Sequence, residues 1–432
     1  MEKKRKINIV TLGCSKNVVD SEVLMSQLKH NRLELTSDPA DTDITIINTC
    51  GFIQAAKQES IQSILEAVGL KKAGAIRKVI VMGCLSERYA EELRREIPEV
   101  DVFVGANKID EAVRAAGGDY KHELLGERML TTPRHFAYLK ISEGCDRPCS
   151  FCAIPLMRGL HRSKPMDLII LEAERLASLG VREIVLIAQD STYYGLDMNG
   201  TRMLAALLDR LVRVDGIEWI RLLYAYPAGF PLDILDRFAA HPKLCRYLDI
   251  PVQHVSDAVL SSMRRGISPA KLRSLLRTIR SAVPGIALRT TLIVGYPTEG
   301  EKEFEELLDF VREQQFDRMG VFTYSQEEGT AAYPLGDPVP QSVKKERRDR
   351  IMEAQREISR CRNEGLVGTS LKIMIDTAGA DAAVGRSEWD APEVDNEVIV
   401  QEADGLSAGC FSSVTIVDAD AYDLFAVPDK DT

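Results

Sequence analysis

The sequence lacks any apolar run close to the roughly 20 residues that a helix needs to cross a bilayer. Its start, Met-Glu-Lys-Lys-Arg-Lys, runs directly into an apolar stretch at Ile7 and lacks the apolar core and small-residue cleavage site of a secretory signal. No tract rich in proline, glycine or any other single residue indicates disorder. We therefore expect a cytoplasmic protein with no membrane contact, folded over nearly all of its 432 residues.

Several catalytic motifs are also missing. No Gly-x-Gly-x-x-Gly follows the first strand-like segment, and the chain has neither a Walker A nor a His-Glu-x-x-His sequence. Nucleotide hydrolysis and zinc proteolysis therefore lack support. The chain does have nine cysteines. In a reducing compartment, cysteines serve more often as ligands, catalysts or packing groups than as disulfide partners.

Apolar segments alternate with amphipathic ones along most of the chain, which is typical of parallel sheets with crossover helices. The pattern predicts an α/β protein, with an open parallel sheet in a domain over residues 1–125 and a partial (β/α)6 barrel over residues 132–340. A charged helix over 341–365 then leads to a small all-β barrel over 366–432. We favour a barrel over a sandwich because about 65 residues hold only about five strands.

Single elements can be placed as well. Helical spacing predicts helices over 54–68 and 301–314, and strand-like runs predict strands over 44–47 and 183–187. In the connecting helix, an apolar stripe includes Ile351 and Cys361. The basic residues of that helix are expected to form a solvated face, with partner binding as the less favoured alternative: Lys344, Lys345, Arg347 and Arg348.

The strongest local motif is a cysteine triplet just beyond the first barrel strand, formed by Cys145, Cys149 and Cys152. Three thiolates on so short a loop can bind three irons of a [4Fe-4S] cluster and leave the fourth iron open for a substrate. A structural zinc would need a fourth ligand, for which His161 is the only candidate, and plain packing is the remaining alternative. We favour the cluster.

A second triplet is spread along the sequence, and each member follows an apolar strand: Cys14, Cys50 and Cys84. The carboxyl ends of parallel strands share one edge of a sheet, so these cysteines are expected to meet there. The alternative is three inert buried thiols. Three cysteines in the same structural position favour a second cluster site, whereas the remaining three are expected to be packing residues: Cys245, Cys361 and Cys410.

The spacing of the first triplet resembles the signature of radical S-adenosylmethionine (SAM) enzymes. The two triplets in this order, followed by a small β domain, resemble the methylthiotransferase family of those enzymes along essentially the whole chain. The resemblance implies an N-terminal domain with an auxiliary cluster, a radical SAM barrel and a C-terminal TRAM domain. It also implies the cofactors, which are two [4Fe-4S] clusters and SAM.

Two stretches are similar to one branch of that family, the RimO type, which methylthiolates the β-carbon of an aspartate in ribosomal protein twelve of the small subunit. They are Thr11-Leu-Gly-Cys-Ser-Lys-Asn-Val-Val-Asp-Ser-Glu22 and Asn48-Thr-Cys-Gly-Phe-Ile53. The branch that modifies tRNA adenosine typically has Phe-Gly-Cys-Gln-Met-Asn at the first site, and this chain does not. The resemblance therefore implies a protein substrate, with the tRNA enzyme as the alternative.

Charge favours the same substrate. The segment from Leu366 to Thr432 holds fourteen acidic and three basic residues, whereas the net charge of the whole chain is −10. A surface with this much negative charge repels phosphate and attracts a basic ribosomal protein. We therefore expect no RNA contact through the TRAM domain. Simple solubility is the alternative reason. The acidic residues expected to dock the substrate are Asp381, Glu388, Asp390, Glu393 and Asp395.

The resemblance also implies roles for SAM and for residues near it. One SAM donates a methyl group to sulfur at the auxiliary cluster, and another yields the radical that abstracts hydrogen from the substrate. Both clusters should face a shared cavity. Polar residues at strand ends and one aromatic residue are expected to hold SAM: Phe151, Gln189, Asp190, Gln253 and Arg289. Arg158 and Arg162 match the family and are expected to brace the cysteine loop or face the substrate.

The expected partners are the basic ribosomal protein, free or on the ribosome, and an electron donor such as flavodoxin or ferredoxin. A function of another class is also open, a non-catalytic iron-sulfur protein that binds ribosomes and senses redox state. An open iron inside a barrel has little use without a substrate, so we favour the enzyme.

Overall fold

The computed structural model describes residues 5–39, 41–124 and 126–429. Leu125, where the first domain was predicted to end, lies outside the described residues. The N-terminal domain is a parallel sheet with strand order β2-β1-β3-β4-β5. Its strands are β1 (Lys6–Thr11), β2 (Glu34–Leu35), β3 (Ile44–Thr49), β4 (Lys78–Gly83) and β5 (Val102–Phe103). Its helices are α1 (Ser15–His30), α2 (Gln54–Lys72), α3 (Cys84–Glu96) and α4 (Ile109–Ala115).

This sheet is covered by helices on both faces. Successive side chains of β3 point to opposite sides, so Ile46 packs with Leu24 of α1 and Ile47 packs with Ile64 of α2. All six residues of β3 are buried, as expected for a parallel strand that is covered on both faces.

The central domain is a six-stranded parallel sheet with strand order β13-β12-β11-β10-β9-β6. Its strands are β6 (Phe136–Lys140), β9 (Glu183–Ile187), β10 (Trp219–Leu222), β11 (Leu244–Asp249), β12 (Ala287–Val294) and β13 (Arg318–Thr323). A short hairpin near the cysteine loop pairs β7 (Ser142–Glu143) with β8 (Arg162–Ser163). The helices are α5 (Ile154–Arg158), α6 (Met166–Ser178), α7 (Leu196–Asn199), α8 (Leu204–Leu211), α9 (Ile234–Ala240), α10 (Asp257–Ser262), α11 (Pro269–Ala282) and α12 (Glu301–Gln314).

The C-terminal part begins with α13 (Gln341–Glu364), which leads into a closed barrel with strand order β14-β15-β16-β18-β17. These strands are β14 (Ser370–Ala378), β15 (Ala382–Ser387), β16 (Val398–Gln401), β17 (Phe411–Ala419) and β18 (Leu424–Pro428). The predicted small barrel, the predicted parallel sheets and the α/β class are therefore confirmed. None of the helices in the described ranges combines the length and the apolar character needed to span a membrane.

A segment of the C-terminal barrel fills the inside of the central sheet. Trp389 and Ala391 pack with the inward-facing Tyr138, Trp219 and Tyr247, whereas the alternate residues of those strands face the helices. The segment from Arg386 to Asp395 contacts all six central strands through polar side chains, which are Tyr138, Glu183, Arg221, Tyr247, Arg289 and Arg318.

Two expectations about α13 are wrong. Lys344 and Arg347 are buried rather than solvated, because Lys344 donates to the Tyr324 carbonyl and Arg347 pairs with Glu299 of the barrel. Helix α13 therefore uses part of its basic cluster to dock on the barrel. Cys361 is exposed rather than packed, although Ile351 of the same stripe is fully buried.

Candidate functional site

The first cysteine triplet lies on the loop between β7 and α5. Gly144, just before Cys145, has φ +76°, and a β-carbon there would lie 2.1 Å from the Leu160 carbonyl oxygen. Only glycine fits this turn. Ser150 fixes the far side of the loop, because its backbone N–H donates to the Met263 carbonyl and its hydroxyl contacts Tyr296.

The second triplet lies at the carboxyl edge of the N-terminal sheet, just beyond β1, β3 and β4. Gly13, with φ +92°, packs so closely on Cys50 that an added β-carbon would lie 3.0 Å from the Cys50 sulfur. Gly83, with φ +99°, makes a similarly tight turn directly before Cys84. A positive-φ glycine thus precedes the first cysteine of each triplet and also Cys84, which allows the chain to turn sharply at the sheet edge.

Two asparagines of the sequence motifs hold this edge together. The Asn17 side chain donates to the carbonyls of Leu12 and Thr49, which flank Cys14 and Cys50. The Asn48 side chain in turn donates to the Asn17 carbonyl at 3.0 Å. The motif residues between and around the cysteines therefore brace the two loops, which explains why amides occur at these positions.

The donor set suits iron-sulfur clusters, because each triplet supplies three free cysteine thiols. Within the described ranges, no three Cys, His, Asp or Glu side chains converge closely enough to hold one metal ion. A [4Fe-4S] cluster offers a separate iron to each cysteine, so its ligands need not converge on one point. Burial raises the pKa of Cys84 and Cys145 to about 11 and that of Cys152 to about 12, so cluster binding must release their protons.

The two triplets lie on elements that touch. Cys84 packs against Ala153, the residue after Cys152, and against Met157 of α5. The Arg158 guanidinium bridges the same boundary, because its Nε donates to the Cys84 sulfur at 3.2 Å and its Nη1 donates to Asp20 at 2.6 Å. The sequence-based idea that the triplets share one site thus has a geometric basis.

Among the residues expected to hold SAM, Gln189 and Gln253 each carry a buried side-chain oxygen without a hydrogen-bond partner. Gln189 follows β9 and uses its nitrogen to donate to Glu143, whereas Gln253 follows β11 with φ +68°. Buried acceptors are normally paired. Two orphan acceptors near one barrel mouth are therefore suited to the amino and hydroxyl donors of a polar ligand such as SAM.

The other three expected SAM residues have protein partners. Asp190 is fully buried and accepts from Arg147 at 2.6 Å and from Thr192. Phe151 packs with Tyr296 and other core residues. Arg289 lies farther from the cysteine loop, near the start of β12, where Asp249 and Asp395 neutralise it. Arg289 therefore has charged partners within the chain, whereas the side-chain oxygens of the two glutamines have none.

Sequence reasoning missed a charged group between the triplets. Burial would raise the pKa of Glu143, but Lys140 and Arg158 outweigh burial and hold the pKa well below its usual range. Lys140 also pairs with Asp20 of the N-terminal domain. Asp20 lies in the Leu-Gly-Cys motif and Glu143 directly precedes Gly144, so proximity to the cysteines was the only available signal.

A second missed group surrounds Cys149. Arg147 and Arg265 both stack on the Tyr226 ring, with guanidinium carbons 4.1 and 4.2 Å from the ring centroid. Arg265 also donates to the Cys149 sulfur at 3.2 Å. Arg265 lies more than a hundred residues from this cysteine, so no local pattern could have linked them.

The expected docking role of the acidic residues needs correction. Four of the five contact the chain's own barrel: Glu388 with Arg246, Asp390 with Arg318, Glu393 with Tyr138, and Asp395 with Arg289. Among the contacts that the structure describes, none joins the fifth residue, the exposed Asp381, to the central barrel. These four carboxylates therefore stabilise the contact between the C-terminal barrel and the central barrel.

Three family models match successive parts of the chain: the uncharacterized protein family UPF0004 over residues 6–105, the Radical SAM superfamily over 139–311 and the TRAM domain over 367–428. Among solved structures, the radical SAM methyltransferase TsrM from Kitasatospora setae, with cobalamin and a [4Fe-4S] cluster bound, is similar at 15% identity and TM-score 0.55. That similarity covers 77% of each chain. The cobalamin-dependent radical enzyme OxsB is similar at 14% identity and TM-score 0.52, covering 81% of this chain and 56% of that one.

Curated relatives match over nearly the full length. The ribosomal protein uS12 methylthiotransferase RimO of Flavobacterium johnsoniae is 54% identical, covering 99% of this chain and 98% of its own. The enzyme of the same name from Chloroherpeton thalassium is 55% identical, covering 98% and 99%. At this identity over nearly the full length, this chain belongs to the RimO family of radical SAM methylthiotransferases.

Proposed function

We propose that this chain is a radical SAM methylthiotransferase that adds a methylthio group to the β-carbon of an aspartate in ribosomal protein uS12. The observation that carries the proposal is the meeting of two cysteine triplets at the boundary of two domains, joined by Arg158 and by packing of Cys84 on Ala153. The names of the full-length relatives support the substrate. The β-carbon of an aspartate has an unactivated C–H bond, and breaking that bond requires radical rather than acid–base chemistry.

We assign one [4Fe-4S] cluster to each triplet. Cys145, Cys149 and Cys152 would hold the cluster that binds SAM, and the auxiliary cluster would be held by Cys14, Cys50 and Cys84. When bound, the clusters and SAM supply the reducing electron, the hydrogen-abstracting power and the methylthio group. The four proposed units are the domains over 1–125, 132–340 and 366–432 and the helix over 341–365.

The chain's own residues position these groups. The orphan oxygens of Gln189 and Gln253 are proposed to accept hydrogen bonds from SAM. Asp190 holds Arg147, and the half-buried Phe151 packs with Tyr296 beside the loop, where its ring is proposed to contact SAM. Arg289 stabilises the junction with the C-terminal barrel. Substitution of Arg289 should therefore affect stability before it affects cofactor affinity.

The outer face of the C-terminal barrel is proposed to receive the basic ribosomal protein. Apart from the four carboxylates that contact the central domain, these acidic side chains of the C-terminal barrel are exposed: Asp381, Glu397, Glu402, Asp404, Asp418 and Asp420. Such a face repels phosphate, so we propose no RNA contact there. We also propose a cytoplasmic location and a flavodoxin- or ferredoxin-type electron donor.

The proposal can be tested by incubating the anaerobically reconstituted enzyme with SAM, dithionite and sulfide, and offering either uS12 or isopentenylated tRNA. Mass spectrometry should detect about one methylthio group on an aspartate of uS12 and none on the tRNA. A gain on the tRNA alone would mean that the substrate is RNA. Failure to form 5′-deoxyadenosine with either substrate would favour a non-catalytic iron-sulfur protein.

A further inference from the structure

Arg158 is the last residue of α5, in the same domain as the SAM-binding loop, yet its side chain belongs to the N-terminal site. The residue is only 5% exposed. Burial would lower the pKa of Arg158, but Asp20 and Glu143 outweigh burial and raise it, so the guanidinium is charged. A permanent positive charge is therefore held inside the boundary between the two triplets.

The guanidinium is occupied on all sides. Its Nε donates to the Cys84 sulfur at 3.2 Å, and its two terminal nitrogens contact Asp20, Asn17, Asn107 and Glu143. A guanidinium has five N–H donors in a rigid fork, so these partners fix its plane. Rotation that would release the sulfur would also break the contacts to the carboxylates.

Domain docking alone does not account for this arrangement. The ion pair between Lys140 and Asp20 already links the two domains, and Glu327 forms a second link to Lys57 and Arg88. What distinguishes Arg158 is the donation to a cysteine sulfur. Hydrogen bonds to the sulfurs of an iron-sulfur cluster, together with nearby charge, stabilise the reduced state and raise its reduction potential.

The other triplet has an arginine of the same kind, which provides an internal control. Arg265 donates to the Cys149 sulfur at 3.2 Å, but its remaining contacts, the Pro251 carbonyl and the Tyr226 ring, are all within the barrel. The two arginines thus make matched contacts to thiols of different triplets, and only Arg158 crosses the domain boundary.

We propose that Arg158 is a positioning residue that raises the reduction potential of the auxiliary cluster and holds that cluster's ligands against the SAM-binding loop. This inference rests on the assignment of the auxiliary cluster to Cys14, Cys50 and Cys84. It links the electronic state of one cluster to the loop that carries the other, because the same guanidinium contacts Cys84 and Glu143.

The test is an EPR-monitored redox titration of the full-length chain in which the SAM-binding triplet is replaced by alanine, so that only the auxiliary cluster contributes a signal. Arg158→Gln should lower the midpoint potential of the auxiliary cluster by at least about 59 mV, which corresponds to a tenfold change in a one-electron equilibrium. Arg265→Gln in the same background should leave the potential unchanged. Iron content is measured for each variant.

An unshifted potential in Arg158→Gln at full iron content would overturn the inference while leaving the proposed function intact. If Arg158→Gln does not retain iron, Arg158→Lys takes its place, since lysine keeps the charge and loses the fork; a smaller downward shift supports the inference. Loss of iron in both variants would mean that Arg158 has only a structural role, and it would overturn the inference that Arg158 raises the reduction potential. Absence of a cluster signal from the chain with Arg158 intact would instead refute the assignment of the triplet.

Discussion

The two cysteine sites are built in opposite ways. Cys145, Cys149 and Cys152 lie on one short loop, so the chain brings them together at small entropic cost. Cys14, Cys50 and Cys84 come from three strand ends, and they meet only after the parallel sheet has paired β1, β3 and β4. The first site depends on local sequence and the second on the fold of a whole domain. Loss of a ligand at one site should therefore have different consequences from loss of a ligand at the other.

Removal of a ligand from the SAM-binding loop should have the largest effect. With Cys149→Ala, we expect loss of both 5′-deoxyadenosine formation and methylthio transfer, and a fall in iron content by about half. Chromatography of the nucleoside products and iron analysis would measure this. Cys361→Ala is the matched control, because Cys361 is exposed on α13 and should tolerate the change. Retained SAM cleavage in Cys149→Ala would contradict the assignment.

Removal of a ligand from the auxiliary site should separate the two activities. Cys50→Ala should abolish methylthio transfer yet leave reductive cleavage of SAM measurable, because the barrel loop remains intact. Iron content should again fall by about half. Product analysis for both reactions in one sample would check this. Wild-type methylthio transfer by the variant would exclude Cys50 as a ligand.

A glycine substitution tests how strictly the sheet edge is built. Gly13→Ala combines a φ of +92° with a β-carbon 2.7 Å from the Cys50 β-carbon, so it should destabilise the domain by about 1 to 3 kcal/mol and lower auxiliary cluster occupancy. Gly74→Ala is the control for backbone conformation alone, since its φ is +75° with nothing within 4 Å. Thermal unfolding and iron analysis would compare them, and equal losses would refute the steric argument.

The most limited effect, on stability alone, is expected at the second link between the two domains. Glu327 accepts from Lys57 and Arg88 at 2.8 and 2.7 Å, and Arg88 also reaches the Gly51 carbonyl. Glu327→Gln should destabilise the chain by about 2 kcal/mol, because two buried cations lose their carboxylate. Denaturant unfolding would measure the change against Glu328→Gln, an exposed neighbour. Equal stability of the two variants would show that the link contributes nothing.

Much of the architecture followed from local patterns. The strand over 183–187 and the helix over 301–314 were predicted with the bounds that the structure has, because their apolar spacing is regular. Parallel order followed from the alternation of strands and helices. Solvation of Lys344 could not be judged in the same way, since burial of a charged residue depends on partners from another part of the chain, in this case Asp337 and the Tyr324 carbonyl.

The sequence alone determined the α/β class, the small C-terminal barrel, the two cysteine triplets and the family they resemble, because each depends on short-range spacing or on a motif. Only the tertiary structure decided that Asp390 and Asp395 face the chain's own barrel and that Arg158 reaches Cys84. The physical reason is that a charge has no fixed role in a sequence. Its role depends on which opposite charge or sulfur the folded chain places within hydrogen-bonding distance.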